Sequence, residues 1–175
     1  MRMKIVVLED NTDRQREMES LLRDRFFTYE HHFFSDPAES ARFLEEHLGE
    51  TILISLDHDM ELIPTSDGRV RDPGSGRQVA EMLATKPPTC PIVFHSTNAN
   101  AVEAMKLILT DAGWGAYSVT PFGNLEWIGK QWLPTVRKAI LDAAVPVVDI
   151  NKNEILTSLG KAPPLPEVIE SLRRK

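Results

Sequence analysis

The chain has 175 residues, 42% of them hydrophobic and 26% charged, and a formal charge of -6 from 20 Lys and Arg against 26 Asp and Glu. That is about one domain's length, too apolar to be disordered throughout, with no membrane-length apolar run of ~18 residues and no basic stripe for duplex DNA. A single Cys90 fits a reducing compartment, and the N-terminus lacks the charged and apolar regions of a signal peptide, so a cytoplasmic location is expected.

Short apolar runs alternate with longer amphipathic ones. Lys4 to Leu8 is β-branched and of strand length, and a helical pattern from Thr12 to about Arg25 follows Glu9-Asp10-Asn11. Tyr29 to Ser35 reads as a second strand, within which His31 and His32 are expected to divide into one buried and one exposed ring. Asp36 caps and Pro37 opens a helix that Gly49 closes. Thr51 to Leu56 is the third strand, and the polar, Gly- and Pro-rich stretch from Met60 to Ser75 reads as a loop, either a lid over the crevice or a disordered insertion. A helix from Arg77 to Ala84, a strand from Pro91 to His95 and a helix from Asn98 to Asp111 come next. Trp114 to Val119 is a short fifth strand, and one long helix from Leu125 to about Ala143 completes the set.

Five strands alternating with five helices predict an α/β fold with a parallel sheet, in the flavodoxin-like three-layer arrangement of order 2-1-3-4-5. The domain is expected to span 1–144, with a C-terminal extension over 145–175. That extension contains the apolar Val145 to Ile150, the extended Ala162-Pro163-Pro164-Leu165-Pro166 and one or two helical turns from Glu167 to Arg174. It is expected to pack on the domain or to exchange with a second subunit in a homodimer, with a partner-binding Pro motif as the alternative.

Ligands in open α/β sheets bind beyond the carboxyl ends of the strands. Glu9, Asp10 and Asn11 follow the first strand, Asp57, His58 and Asp59 the third, His95, Ser96, Thr97 and Asn98 the fourth, and Thr120 and Pro121 the fifth. Ile5, Val7, Ile52, Ile54, Ile92 and Phe94 fill the strands beneath. In the predicted order the first and third strands are neighbours, so Glu9, Asp10, Asp57 and Asp59 converge. Carboxylates gathered in one crevice repel, and either protons or a cation must offset them. Oxygen ligands favour Mg²⁺ or Mn²⁺, and His58 and His95 would shift the preference toward Mn²⁺ or a transition metal. An extended Asp57-His58-Asp59 directs its carboxylates to one side and its imidazole to the other. Each residue also has a plainer role: Glu9 to Asn11 as helix capping, His95 as a hydrogen-bonded core residue, Ser96 and Thr97 as caps.

The chain resembles a response-regulator receiver domain over roughly Lys4 to Ala143. Glu9-Asp10 matches that family's acidic pair, Asp57 its phosphoacceptor, and Ser96 its Thr/Ser after the fourth strand. Receivers carry a Lys before the Pro-Phe that follows the fifth strand, whereas here the sequence is Thr120-Pro121-Phe122. That departure argues against ordinary phosphorelay signalling. The segments LEDNTDR (Leu8 to Arg14), SLDHDM (Ser55 to Met60), HSTN (His95 to Asn98) with Met105 downstream, and AGW (Ala112 to Trp114) are more specifically similar to the cyclic-phosphate-processing receiver-like domains. The resemblance implies a receiver fold and action on cyclic or terminal phosphates, with a connection to RNA repair.

The leading expectation is a phosphoesterase that uses Mg²⁺ or Mn²⁺ on a small phosphate or an RNA end, such as a 2′,3′-cyclic phosphate. Glu9, Asp10, Asp57 and Asp59 would hold the ion, and Asp57 could also act as nucleophile. His58 or His95, with Ser96, would serve the chemistry, and Arg14, Arg77, Asn98 and Thr120 would contact phosphate. The alternatives are an atypical receiver acting as a binding or switch module and an inactive relative whose acids bind metal for stability alone.

Overall fold

The computed structural model describes residues 2–144; the expected features of 145–175 lie outside the described residues. In chain order the elements are β1 (Lys4–Leu8), α1 (Thr12–Arg25), β2 (Glu30–Phe34), α2 (Pro37–His47), β3 (Thr51–Leu56), β4 (Ile63–Pro64), β5 (Val70–Arg71), α3 (Gly76–Ala84), β6 (Ile92–Phe94), α4 (Ala99–Asp111), β7 (Ala116–Ser118) and α5 (Leu133–Ala144). The five-stranded sheet has the order β2-β1-β3-β6-β7, and every pairing in it is parallel. This is the expected 2-1-3-4-5 arrangement once the separate β4–β5 hairpin is left out of the numbering.

Side-chain alternation along the strands divides the core into two layers. Val6, Leu8, Ile54, Leu56, Ile92 and Phe94 face α2, α3 and α4, where Leu44, Val79, Leu83 and Met105 meet them. Ile5, Val7, Leu53 and Val93 face α1 and α5 and pack on Met18, Leu22, Trp127, Trp132 and Val136. Each fully buried aliphatic side chain contributes roughly 1.5–3 kcal/mol. The helices start where cap residues accept otherwise unpaired amides: Asn11 Oδ1 from Asp13 and Arg14 at 3.1 and 3.0 Å, and Asn98 Oδ1 from Ala101 at 3.2 Å.

The structure departs from the sequence reading in three places. The stretch from Met60 to Ser75 is not loop throughout: Ile63–Pro64 and Val70–Arg71 pair antiparallel, and Asp59 bridges to Ser75. The last helix is not uniform either, because a π turn over Ile128–Trp132 precedes α5. Pro134 has no amide to give to the turn before it and its ring crowds that turn, so a wider winding suits the junction. The wider turn also brings Trp127 and Trp132, five residues apart, into the same core layer, where both are fully buried. Finally, His31 and His32 do not divide into inner and outer rings. Both are half-buried, His31 against the Phe26 carbonyl at 3.1 Å and His32 on the Phe43 ring.

The hairpin is tied to the body by an ion pair between Arg71 and Asp36, the cap of α2. Burial alone would raise the Asp36 carboxyl, but hydrogen bonds from Arg71 and the Ala38 amide outweigh it and hold the group below its ordinary value. A depressed folded-state value means stability that is present above the unfolded value near ~3.9 and lost as pH falls through the folded one. Arg71→Gln is therefore expected to lower the melting temperature at pH 6, with the deficit closing below about pH 4. Melting curves of both proteins between pH 6 and 2.5 check this, and a deficit that stays constant contradicts it.

Candidate metal centre and active site

Three adjacent strands end in register. Leu8 pairs with Leu56 and Leu56 with Phe94, so Glu9, Asp57 and His95 each stand one residue past a common rung. Backbone bonds continue the ladder through that row, from Asp57 N to Leu8 O at 2.9 Å and from His95 N to Leu56 O at 3.0 Å. All three share the parity of Val7, Ser55 and Val93, and all three are buried. Each offers a ligand atom, and these atoms lie within 4.8 Å of one another.

The polar inventory of this floor is incomplete. Glu9 Oε1 accepts from the Asn11 amide at 2.9 Å, while Glu9 Oε2 and His95 Nε2 have no hydrogen-bond partner among the described residues, although they stand 3.5 Å apart. A buried acceptor left unpaired costs about 1–3 kcal/mol, and more when charged. Arg14 approaches from α1, with Nη1 3.4 Å from Asp57 Oδ2 and 3.5 Å from Glu9 Oε2, and its guanidinium lies over the Trp127 ring at 5.8 Å. These long contacts neutralise part of the charge, and Glu9 Oε2 stands in ion-pair range of both Arg14 and His95 without a hydrogen bond to either.

The carboxylates respond in opposite directions. Burial acts to raise Glu9, but the His95 ring, the Asn11 amide and Arg14 bring it below the ordinary range. Burial, reinforced by the Glu9 charge, pushes Asp57 up against the pull of His95, the His58 amide and the Ser96 hydroxyl. Two carboxylates and an imidazole with an unpaired lone pair fit a divalent cation of borderline hardness. Glu9, Asp57 and His95 are the residues placed to hold one.

Above the floor lies a cleft of about 260 Å³ lined by Asp10, Asn11, Arg14, Asp57, Asp59, Met60, Glu61, Ser96 and Thr97. Asp10 is at its rim and not in the buried set. Its carboxylate takes the Glu61 amide, and burial with the Glu9 and Glu61 charges raises it. Asp59 lines the cleft, but Oδ1 is engaged by His58 Nδ1 at 2.7 Å and by Asn98 Nδ2 at 3.4 Å. His58 does not line the cleft, and the segment is not extended as the alternation supposed: the backbone bends at His58, and its ring meets the Asp59 carboxylate. Ser96 lines it and accepts from the Asn98 amide at 3.2 Å. Arg77 is turned along α3 to Glu81 at 2.7 Å, and neither it nor Thr120 lines the cleft.

A second cleft of about 340 Å³ adjoins the first, sharing Asn11, Arg14 and Thr97 and continuing to Pro121, Phe122 and Trp127. Phe122 is 49% exposed, unusual for so large an apolar ring. The sequence reading missed Phe122, Trp127 and the pair behind His95, Ser55 and Trp132. Ser55 had a signal, a hydroxyl within the otherwise apolar end of strand TILISL; Trp132 had none nearby. Gly76 holds the rear of the site. A Cβ there would stand 1.9 Å from the Asp57 carbonyl oxygen, so only glycine lets α3 start this close to the Asp57 backbone.

The fold is that of response-regulator receiver domains. The phosphorylated cyanobacterial phytochrome response regulator RcpA aligns with a TM-score of 0.61 at 21% identity over 83% of this chain and 98% of its own. The response regulator domain of Thermotoga maritima CheB aligns at 0.56 and 17%, covering 80% of this chain and 97% of that one. The Mn²⁺-bound form of response regulator Rcp1 aligns at 0.52 and 20%, covering 77% and 96%. Residues 3–111 match the family of cyclic-phosphate processing receiver domains, and the chain belongs to it. No curated protein matches the sequence. Among the described residues no helix is long and apolar enough to cross a membrane.

Proposed function

We propose that the chain is a metal-dependent phosphoesterase acting on a small or terminal phosphate, with a 2′,3′-cyclic phosphate as the favoured substrate. The observation that carries this reading is the buried convergence of Glu9, Asp57 and His95, with Glu9 Oε2 and His95 Nε2 unpaired, beneath a cleft that Arg14 enters. When bound there, Mg²⁺ or Mn²⁺ polarises phosphoryl oxygens and acidifies water. Rcp1, alike in fold, is described in a Mn²⁺-bound form. Arg14 contributes a cation that orients the phosphoryl group, and the hydroxyls of Ser96 and Thr97 line the same cleft. His95 has no solvent exposure, which suits a ligand.

The shared wall of the two clefts lets one molecule set its phosphate over Asp57 and its organic part against Phe122. A nucleoside or RNA end fits this division, because any base can stack on an exposed aromatic ring. Phe122→Ala is expected to raise KM for a 2′,3′-cyclic nucleotide about 5- to 50-fold, with kcat within about twofold. KM for p-nitrophenyl phosphate should move less; equal changes for both substrates would remove the stacking role.

The test of the function is a panel of 2′,3′-cyclic nucleotides, nucleoside monophosphates and p-nitrophenyl phosphate, assayed with Mg²⁺, with Mn²⁺ and with chelator. Metal-dependent turnover supports the proposal. Stoichiometric phosphorylation of Asp57 by a small donor, without turnover, would instead identify a switch module.

A further inference from the structure

Behind the metal-binding floor runs a buried chain of polar groups that no catalytic step uses. Ser55 Oγ lies 2.9 Å from Trp132 Nε1, 3.1 Å from the Val93 carbonyl oxygen and 2.9 Å from His95 Nδ1. Trp132 and His95 have no exposure and Ser55 none. We infer that Ser55 and Trp132 are positioning residues that fix His95 as the Nδ1–H tautomer, with the Nε2 lone pair directed at Glu9 and Asp57.

The inference follows from counting protons. An indole N–H only donates, so Ser55 accepts from Trp132, and its single proton goes either to His95 Nδ1 or, in the inferred arrangement, to Val93 O. Its remaining lone pair then receives a proton from His95 Nδ1, and all three contacts are hydrogen bonds. Were Ser55 to donate to His95 instead, Ser55 Oγ and Val93 O would face each other as two acceptors 3.1 Å apart. The proton moved to Nε2 would face Glu9 Oε2 at 3.5 Å, in ion-pair range but outside hydrogen-bond geometry. The first arrangement satisfies every member of the buried group except the two atoms that face the metal position. Ring stacking on Trp127, with centroids 6.3 Å apart, holds the imidazole plane. Trp132 therefore acts two bonds away from the floor, and Ser55 one.

The consequence for metal affinity rests on the proposed function, whereas the tautomer does not, and the two are measured separately. In metal-free protein labelled with ¹⁵N-histidine at pH 8, the His95 ring signals are assigned by their loss in His95→Gln. They are expected to show a protonated Nδ1 and an unprotonated Nε2; a protonated Nε2 in the unmodified protein overturns the inference with no variant needed. Ser55→Ala is expected to mix the tautomers and to weaken Mn²⁺ binding, followed by calorimetry, about 10- to 100-fold. Ser55→Thr, which keeps the hydroxyl, should restore both. Melting curves confirm that the variants are folded. An unchanged tautomer and affinity in Ser55→Ala also defeats the inference. Absence of Mn²⁺ binding by the unmodified protein would defeat the proposed function, while the histidine spectrum would still decide the positioning role.

Discussion

Asp57→Asn is expected to reduce metal-dependent turnover of a 2′,3′-cyclic nucleotide by at least about 10²-fold, while leaving the protein folded. Asparagine keeps the size of the side chain and still accepts the His58 amide, which bonds Asp57 Oδ1 at 2.6 Å. What disappears is one of two negative charges in a buried floor. Burial and the neighbouring Glu9 already oppose ionisation of Asp57, so the metal-free variant is expected to melt at the same temperature as the parent or above it. Opposite signs for activity and stability mark a residue retained for its chemistry at a cost to the fold. Parallel assays and melting curves of the two proteins read both quantities. Retained turnover would transfer the reaction to another site, and a large fall in melting temperature would make Asp57 a structural residue.

Trp132→Ala carries the largest expected effect on stability. The side chain is fully buried between the sheet and the helices that follow it, in a layer shared with Ile5, Val7, Met18 and Leu22. Removing it opens a cavity and strips the Ser55 hydroxyl of its donor, a loss of about 3–5 kcal/mol. For a domain of this length that corresponds to a fall of about 6–20 °C in melting temperature. Trp132→Phe keeps most of the volume and loses only the indole N–H, so about 1–2 kcal/mol is expected. Urea titrations of the three proteins supply the free energies. A loss below about 1 kcal/mol for the alanine variant would mean that the layer closes over the gap.

The sheet was legible because its strands are short β-branched or aromatic runs, each broken by residues that suit a helix start. Lys4 to Leu8 and Thr51 to Leu56 occupy the predicted positions. The candidate site was legible as a list of strand-end residues, since Glu9, Asp57 and His95 each follow such a run. Its division into floor and rim was not drawn from the sequence, although parity along the strands contains it: residues 5, 7 and 9 share one face, as do 53, 55 and 57. Asp10 belongs to the other parity and Asp59 follows a turn, and both stand at the rim. The contact of Trp132 with Ser55 spans 77 residues and depends on a π turn. No local pattern announces such a contact, because it is decided by how the last helix settles on a finished sheet. Arg77 was placed at the site from its position at a helix start, but a neighbouring Glu81 one turn on captures it.

The β4–β5 hairpin, described above as fastened to α2 through Arg71 and Asp36, is fastened twice more: the Glu61 amide holds Asp10, and Asp59 bridges to Ser75. All three ties sit at the roots of the hairpin, where Arg71 pairs with Ile63, whereas the largely exposed tip from Thr65 to Arg69 is bonded within itself. Held there, Asp59 and Glu61 form a wall on one side of the Asp57 cleft, and its continuation past Thr97 toward Phe122 is the side on which a larger molecule would extend.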